Sequence, residues 1–465
     1  MRCLSVLRRC RSVCRVPVLC LTVVCLPLLG FNPAAAQDKG LQVPPASLYQ
    51  YETKPADEAF AKLNPALAPV PGPLLLRTGD RLAIIGDSIT EQKMYSRIIE
   101  NYLTMCVPHL KVTVRQYGWS GEKTDGFLKR MDQDCLSFQP TVATLCYGMN
   151  DARYRPYDAT NGRWYRDHYT AIVQRFKQHG VRVVVGSPGC AGKLASWVKS
   201  RAGTLDEHNQ HLCALRDIAL EVASSQQVAF ADIFWPMFQQ QVLAPRKFSK
   251  TPEEYAVAGK DGIHPGWAGQ VIMAYAFLTA MGLDGDLGTL NVDMAAGTAT
   301  ATGEHRITSF DNGRLSVTSQ QYPYCSSGAI DADDSVRSGM ALVPFAEKLN
   351  RFLLKVNGTG ERGIQVTWGT ETKSFTAAEA RAGINLADQF SINPFSAAFE
   401  RVDAAVLAKQ SYETKQVKQI FHGAKGKQDF AAAVRETEAE REPLAAAIAT
   451  AMVPIEHQLT IRVNP

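Results

Sequence analysis

The sequence lacks the motifs of several common enzyme classes. It contains no CxxC pair, no HExxH and no similar spacing of metal ligands, so nothing in it predicts a metal centre, and no cofactor is expected. No G-x-S-x-G occurs, which excludes the nucleophile-elbow arrangement of the α/β hydrolases. Internal repeats and low-complexity tracts are also missing. With 46% hydrophobic and 20% charged residues, the composition is that of a globular protein.

Apart from its N-terminus, the chain also has no excess of positive or negative charge. The formal net charge of +5 comes from five arginines among residues 1–16, which contain no acidic residue. The rest of the chain carries 45 basic and 45 acidic residues. Because a near-neutral protein offers no broad basic surface to a phosphate backbone, the composition predicts no nucleic-acid partner.

The N-terminus has the three parts of a secretory signal peptide. The basic segment is followed by the apolar run VPVLCLTVVCLPLLGF, and the small residues of NPAAA then form an A-x-A cleavage site. The alternative is an uncleaved membrane anchor, but the run is shorter than a bilayer span. We expect cleavage after about Ala36, no stable membrane insertion afterwards, and a periplasmic or extracellular protein.

Cysteines divide in the same way. Five lie in the predicted signal peptide and would leave with it. The six that remain allow 15 complete pairings, among which the sequence does not choose. Cys146 lies in the apolar run TVATLCY and is predicted to be a buried thiol. The six are Cys106, Cys135, Cys146, Cys190, Cys213 and Cys325.

The chain is predicted to have four segments: a signal peptide (1–36), a linker that partly wraps the next domain (37–76), an α/β domain (77–284) and a mixed β/α accessory region (285–465). In the α/β domain, apolar strands such as LAIIG, TVATLCYG and VRVVVGS alternate with amphipathic helices such as EQKMYSRIIENYL. This alternation predicts a parallel sheet covered on both faces, with a site beyond the carboxyl ends of its strands.

The accessory region has hairpin signals at Asn312-Gly313 and Asn357-Gly358, an alanine-rich helical segment at 395–452, and a final strand, HQLTIRV. The segment GTGERG, residues 358–363, has the spacing of a dinucleotide-binding loop. Such a loop needs a helix after its glycines, whereas IQVTW predicts a strand. We therefore expect a hairpin turn there.

Ser88 follows the strand LAIIG directly, in GDSIT. A serine hydroxyl becomes a useful nucleophile only when a base removes its proton and a third group orients that base. DGIHP offers both, because Asp261 precedes His264 by three residues on the loop that enters a helix at Pro265. The alternative is that Asp261 and His264 only cap that helix.

Acyl transfer also needs donors for the developing oxyanion, and losing one donor costs about a hundred- to a thousandfold in rate. The second predicted strand leads into YGWSGEKTDG and the third into YGMND. Gly121 offers a backbone N–H and Asn150 a side-chain amide. Gly118 competes with Gly121 for this role, and a plain turn glycine and an Asx turn are the alternative explanations.

Together, GDSIT, WSGE, YGMND and DGIHP resemble the ordered blocks of the SGNH subgroup of the GDSL hydrolases, over about residues 80–284. The resemblance implies a flavodoxin-like α/β/α domain that hydrolyses carboxylic esters without a metal. It implies that Ser88 is the nucleophile, His264 the general base and then acid, and Asp261 the residue that orients it. The oxyanion hole would comprise the N–H groups of Ser88 and Gly121 and the Asn150 amide.

Aromatic residues near these blocks suit stacking on sugar rings, and Trp119, Tyr154 and Trp267 are the predicted substrate contacts. No apolar lid insertion is evident, which disfavours a lipase acting at membranes. The predicted substrate is a small-molecule or polysaccharide ester, and the predicted reaction is removal of acetyl groups from carbohydrate. A lipid or aryl esterase, a lysophospholipase and a non-catalytic glycan-binding protein are the alternatives. The sequence gives no oligomeric state.

Overall fold

Residues 50–465 are described by the structure, which is a computed structural model. The predicted signal peptide and the first part of the predicted linker lie outside the described residues. The described residues fall within one structural unit. Among them, no helix combines the length and the apolar character needed to cross a bilayer.

A five-stranded parallel sheet forms the centre of the described residues before 285, called here the first half. Its spatial order is β2-β1-β3-β4-β5, the flavodoxin-like order of doubly wound sheets. The strands read as continuous apolar runs because all of β3 and nearly all of β1 and β4 are buried. The predicted fold class, a flavodoxin-like α/β/α domain, is confirmed. The strands are β1 (Arg81–Gly86), β2 (Thr113–Gln116), β3 (Val142–Cys146), β4 (Arg182–Gly186) and β5 (Ala229–Ala231).

Helices connect these strands. The helix predicted from EQKMYSRIIENYL is two helices, because the chain turns at Lys93, whose φ is 58°. Two further helices, α3 and α6, have no predicted counterpart; α3 is mostly polar, and α6 contains Pro245. The helices are α1 (Ser88–Glu91), α2 (Tyr95–Asn101), α3 (Thr124–Asp134), α4 (Ala159–Gln178), α5 (Leu205–Gln226), α6 (Phe234–Lys247) and α7 (Trp267–Ala280).

The accessory region contains two further sheets, with the orders β13-β10-β6-β7 and β12-β11-β14-β9-β8. An aromatic cluster joins them: the ring of Phe352 in β10 lies 6.0 Å from Trp368 in β11 and 6.3 Å from His457 in β14. The strands are β6 (Asp286–Asp293), β7 (Thr298–Ala301), β8 (His305–Asp311), β9 (Arg314–Ser319), β10 (Arg351–Asn357), β11 (Ile364–Trp368), β12 (Glu371–Phe375), β13 (Ile384–Asn385) and β14 (Ile455–Val463).

Of the two predicted hairpin turns in this region, one is confirmed. Asn312 and Gly313 have φ values of 46° and 76° and join the antiparallel strands β8 and β9. The prediction at Asn357-Gly358, which includes GTGERG, is wrong, because β10 and β11 belong to different sheets. The glycines carry the chain from one sheet to the other, and a strand follows them.

The accessory region also contributes helices. The longest two, α12 and α14, lie against each other, and α12 continues into a π-helical turn, Gln416–Phe421. Helix α12 contacts both α2 and β2 of the first half. The helices are α8 (Val336–Met340), α9 (Phe345–Lys348), α10 (Ala377–Ala382), α11 (Leu386–Gln389), α12 (Ser396–Lys415), α13 (Ala424–Gln428) and α14 (Phe430–Ala451).

A buried ionic cluster connects α12 to the first half. The ammonium of Lys409 lies 2.9 Å from Glu100 Oε1 on α2 and 3.1 Å from Glu413 Oε1 one turn along α12. It also donates to the carbonyl oxygen of Val114 in β2, at 2.5 Å. Glu413 in turn pairs with Arg441 of α14. The Lys409 side chain is 2% exposed, so these contacts are shielded from water.

The described part of the predicted linker, residues 50–76, packs against the first half. Phe60, Leu63 and Leu76 are buried there. The guanidinium of Arg216 on α5, which is fully buried, pairs with Asp232 and donates to the carbonyl oxygen of Ala66. This segment therefore packs against the first half, and the predicted division into linker and domain stays a prediction.

All six cysteines outside the predicted signal peptide are buried thiols, and no disulfide joins any of them within residues 50–465. Cys146 is 5% exposed, as its position in an apolar strand predicted. Burial raises the pKa of the Cys146 thiol well above its ordinary value, with Asp87 adding to the rise.

We expect Lys409→Met to lower the free energy of unfolding by about 3 kcal/mol or more, because it leaves the carboxyl group of Glu100 buried without its cation and Glu413 with Arg441 alone. Urea denaturation followed by circular dichroism measures the change. Lys427→Met, at an exposed position after the π-helical turn, is the matched control and should differ little from wild type. A Lys409 variant as stable as this control would contradict the expectation.

Candidate active site

Ser88 lies at the point where β1 ends and α1 begins. Asp87, the N-cap residue of α1, accepts a hydrogen bond from the amide of Ile89 at 2.9 Å. Ser88 is the first residue of the helix, so its own N–H has no partner inside α1. The local geometry therefore presents a hydroxyl and an N–H at the carboxyl edge of the sheet.

The structure brings Ser88, His264 and Asp261 together. His264 Nε2 lies 2.8 Å from Ser88 Oγ, and His264 Nδ1 lies 2.7 Å from Asp261 Oδ2. Asp261 Oδ1 accepts hydrogen bonds from the amides of Ile263 and His264, each at 2.9 Å. These are the contacts by which a carboxylate orients an imidazole toward a hydroxyl.

The loop that carries His264 is held by Asp261. Partial burial would raise the pKa of Asp261, but the hydrogen bonds from the two amides and the His264 ring lower it overall. The carboxylate therefore stays ionised beside the imidazole. Helix α7 has Gly266 as its N-cap residue and no side-chain cap, so Asp261 and His264 do not cap it.

Asn150 is held in place by hydrogen bonds on both sides of its amide group. Its Nδ2 donates to Asp87 Oδ2 and to the backbone oxygen of Glu122, both at 3.2 Å. Its Oδ1 accepts from the hydroxyl of Tyr154 at 3.2 Å. The Tyr154 ring is buried and stacks on His208, with 5.2 Å between ring centroids. Tyr154 thus contacts Asn150, and its predicted contact with substrate stays a prediction.

The two glycines of the second block occupy different places. A Cβ on Gly118 would lie 2.2 Å from the backbone nitrogen of Glu91, because this buried residue packs directly against α1. Gly121 is exposed, has a φ of 74° and has open space where a Cβ would be. Gly121 is thus the one of the two whose surroundings leave room for a substrate oxygen.

Two acidic residues, Asp87 and Glu122, contact Asn150, and Asp87 directly precedes Ser88. Burial raises the pKa of Asp87 to about 7; the bond from the Ile89 amide opposes this rise, and Asp151 and Glu122 add to it. Glu122 pairs with Arg130 at 2.7 Å. Sequence reasoning did not assign roles to Asp87 and Glu122, although both belong to the quoted motifs, GDSIT and WSGE.

Trp197 is a further residue of the site that sequence reasoning missed. It lies in the loop after β4, and its indole is stacked near the His264 ring, with 5.8 Å between centroids and 25° between planes. The residue is 50% exposed. Its position after the end of a parallel strand was the available signal, but the fourth loop contains no recognisable block.

The other two predicted aromatic contacts, Trp119 and Trp267, have ring and cation partners within the protein. Trp119 meets the edge of His422 at 5.0 Å and has the cations of Arg130 and Lys418 over its ring. Trp267 begins α7 under the guanidinium of Arg97, at 4.8 Å, and lines a cavity of about 240 Å³. Their contact with substrate stays a prediction.

The Asp87 carboxyl gives a stability prediction with a definite sign. Its folded pKa of about 7 exceeds the ordinary value of 3.8, so the folded protein holds the proton more tightly than the unfolded chain. Its contribution to the free energy of unfolding therefore falls as pH rises through this interval. Relative to wild type, Asp87→Asn should gain about 2 kcal/mol between pH 5 and pH 8.

Urea denaturation at the two pH values measures this change. Asp132→Asn is the control, because the Arg175 side-chain hydrogen bond lowers the pKa of Asp132 and no gain of this sign is expected. An Asp87→Asn difference that is flat or reversed with pH would show that Asp87 is ionised throughout.

Comparison with known proteins gives a family for the first half. Residues 84–272 match the model of the GDSL-like lipase/acylhydrolase family. A search of curated proteins gave no match. Among solved structures, a gut microbial diltiazem-metabolizing enzyme is similar at 21% identity with a TM-score of 0.64, over 85% of this chain and 99% of that one. This likeness extends the shared fold into the accessory region.

Two further solved structures have lower scores. A catalytic mutant of an acetylxylan esterase from Geobacillus stearothermophilus is 18% identical, with a TM-score of 0.37, over 45% of this chain and 97% of that one. An alpha/beta hydrolase enzyme from the metagenome of Lake Arreo, Spain, is 19% identical, with a TM-score of 0.35, over 45% and 98%. The family match covers about two fifths of the chain, so residues 84–272 are similar to the GDSL-like lipase/acylhydrolase family, and the chain is a serine ester hydrolase.

Proposed function

We propose that this ester hydrolase is exported and removes acetyl groups from carbohydrate, with Ser88 forming an acyl-enzyme. The observation that carries the carbohydrate assignment is the half-exposed indole of Trp197 beside the His264 ring. A flat apolar face next to the reacting atoms suits the C–H face of a sugar ring whose acetyl group lies over Ser88. The basic, apolar and small-residue segments of the N-terminus support export.

In the proposed acylation step, Ser88 Oγ attacks the acetyl carbonyl carbon while His264 Nε2 takes the hydroxyl proton. Asp261 stabilises the imidazolium that forms, through the contact at Nδ1. The carbonyl oxygen becomes an oxyanion, for which the N–H groups of Ser88 and Gly121 and the Asn150 amide are the proposed donors; Asn150 donates by releasing one of its two 3.2 Å hydrogen bonds. Collapse of this intermediate breaks the bond to the sugar oxygen, and His264 returns the proton to that oxygen.

Deacylation repeats these steps with water. His264 takes a proton from a water molecule, and the resulting hydroxide attacks the carbonyl carbon of the acetyl-serine. The second oxyanion uses the same donors. Release of acetate restores the Ser88 hydroxyl, to which His264 returns the proton.

The open position of the reacting groups supports an ester carried on a larger molecule. The His264 and Asp261 side chains are 23% and 40% exposed, and Gly121 is exposed as well. A bulky alcohol can extend away from the site, whereas the acyl group faces the protein. A lipid or aryl esterase is the competing assignment, and acyl-chain preference separates the two.

We expect the protein without residues 1–36 to hydrolyse p-nitrophenyl acetate faster than p-nitrophenyl octanoate. Ser88→Ala should lower kcat by about 10⁴-fold or more, because the nucleophile is lost while the donors remain. Ser137→Ala, at an exposed serine, is the matched control and should keep full activity. Octanoate preference would favour a lipid ester, and turnover that survives the Ser88 substitution would refute the proposed nucleophile.

We expect Trp197→Ala to lower kcat/KM on an acetylated xylooligosaccharide by about 10-fold or more, since a sugar contact of 1.4 kcal/mol corresponds to tenfold. Turnover of p-nitrophenyl acetate should change much less, because that ester has no sugar. Trp197→Phe should keep most of the oligosaccharide activity. An equal loss on both substrates would mean that Trp197 supports His264 and does not contact sugar.

A further inference from the structure

We propose that the accessory region positions the oxyanion loop of the active site, through Lys418. The inference rests on the proposed function, in which the Gly121 N–H is an oxyanion donor. The residues involved are Lys418, Glu91 and Ser120, called here the Lys418 clamp. Lys418 comes from the π-helical turn after α12, Glu91 is the last residue of α1, and Ser120 precedes Gly121.

The clamp is a continuous set of charge-assisted contacts. The Lys418 ammonium lies 2.8 Å from both carboxylate oxygens of Glu91. Glu91 Oε2 accepts hydrogen bonds from both the backbone N–H and the hydroxyl of Ser120, at 2.5 and 2.6 Å. Partial burial would raise the pKa of Glu91, but the bonds from Lys418 and Ser120 lower it, so the carboxylate is charged. Bonds to a charged acceptor are the stronger kind.

These contacts hold Ser120 through its N–H and its hydroxyl, and so anchor one end of the peptide that carries the Gly121 N–H. Gly121 itself is exposed and has a positive φ, with no neighbouring group where a Cβ would be. The turn around Gly121 is closed by the Glu122 N–H, which donates to the Trp119 carbonyl oxygen at 3.1 Å, and the bonds at Ser120 add a second restraint. An oxyanion donor is effective only when it is held in place before the charge develops.

A second set of contacts, from His422 directly after the same turn, reaches the supports of Asn150. His422 Nε2 lies 2.7 Å from Asp134 Oδ2, and Asp134 pairs with Arg130 at 3.3 Å. Arg130 forms two hydrogen bonds of 2.7 Å to Glu122, whose backbone oxygen accepts from Asn150. The accessory region thus contacts residues that hold both Gly121 and Asn150 in place.

The clamp predicts a loss of turnover without a loss of substrate binding. Lys418→Met should lower kcat for p-nitrophenyl acetate by about 10- to 100-fold and leave KM within about twofold, because the oxyanion forms only in the transition state. Lys418→Arg should recover most of the activity, since it keeps the charge and the donors. The midpoint of urea unfolding should stay close to wild type, because Lys418 is partly exposed, with 25% of its side chain accessible.

The experiment uses the chain from residue 37 onward and includes Glu91→Gln and the Lys418→Met/Glu91→Gln double variant. If Lys418 acts through Glu91, the double variant should be no slower than the slower single variant. Lys415→Met, one turn earlier and exposed, is the matched control and should match wild type. Multiplied losses in the double variant, or a KM rise that accounts for the loss, would overturn the positioning role.

Ser88→Ala, measured in the same assay, separates this inference from the proposed function. Wild-type turnover that depends on Ser88, together with a Lys418→Met variant of wild-type kcat, would overturn only the clamp. Turnover that does not depend on Ser88 would overturn both. If Lys418→Met unfolds at a lower urea concentration, Glu91→Gln with unchanged kcat would still overturn the clamp.

Discussion

The buried ammonium of Lys409 is the interaction on which the arrangement of the two halves depends. It lies between two carboxylates and a backbone carbonyl of β2, so α12 can occupy only one register along that strand. A buried charge without its partners is costly, which makes displaced registers unfavourable. The π-helical turn that follows α12 therefore lies beside α1. Lys418 of this turn and His422, which follows it, make the contacts near the active site.

The site itself follows from the parallel sheet. Ser88, the Gly121 loop and Asn150 come directly after β1, β2 and β3, and parallel strands bring their carboxyl ends to one edge. The loop before α7 adds His264 and Asp261 at the same edge. None of these positions is remarkable in isolation, since a glycine or an asparagine after a strand has many explanations. Their mutual distances, 2.7–2.8 Å between the serine, histidine and aspartate atoms, supply the chemical meaning.

Much of this could be predicted from the sequence, because apolar runs, turn residues and ordered motifs are local signals. The five strands, the helices flanking β4 and the approach of His264 to Ser88 belong to this group. The role of Trp197 could not be predicted from the sequence, because its position near the His264 ring depends on the conformation of the loop after β4. The prediction of a hairpin at Asn357-Gly358 was wrong, because a turn signal does not determine which sheet the next strand joins. Lys418 and His422 lie roughly 300 residues from their partners, a separation at which no sequence pattern operates.

Helices α12 and α14, which contact β2, also affect whether the chain can associate with other molecules through this strand. As a terminal strand of the parallel sheet, β2 would present unpaired backbone groups to other molecules. Side chains of α12 and α14 take these positions: Lys409 and Arg441 donate to the Val114 carbonyl, and Glu413 accepts from the Gln116 amide. Charged side chains thus do what a neighbouring strand would do, without offering an edge of their own. The accessory region protects the β2 edge of the hydrolase sheet from strand addition, so an isolated hydrolase half would be exposed to aggregation at that edge.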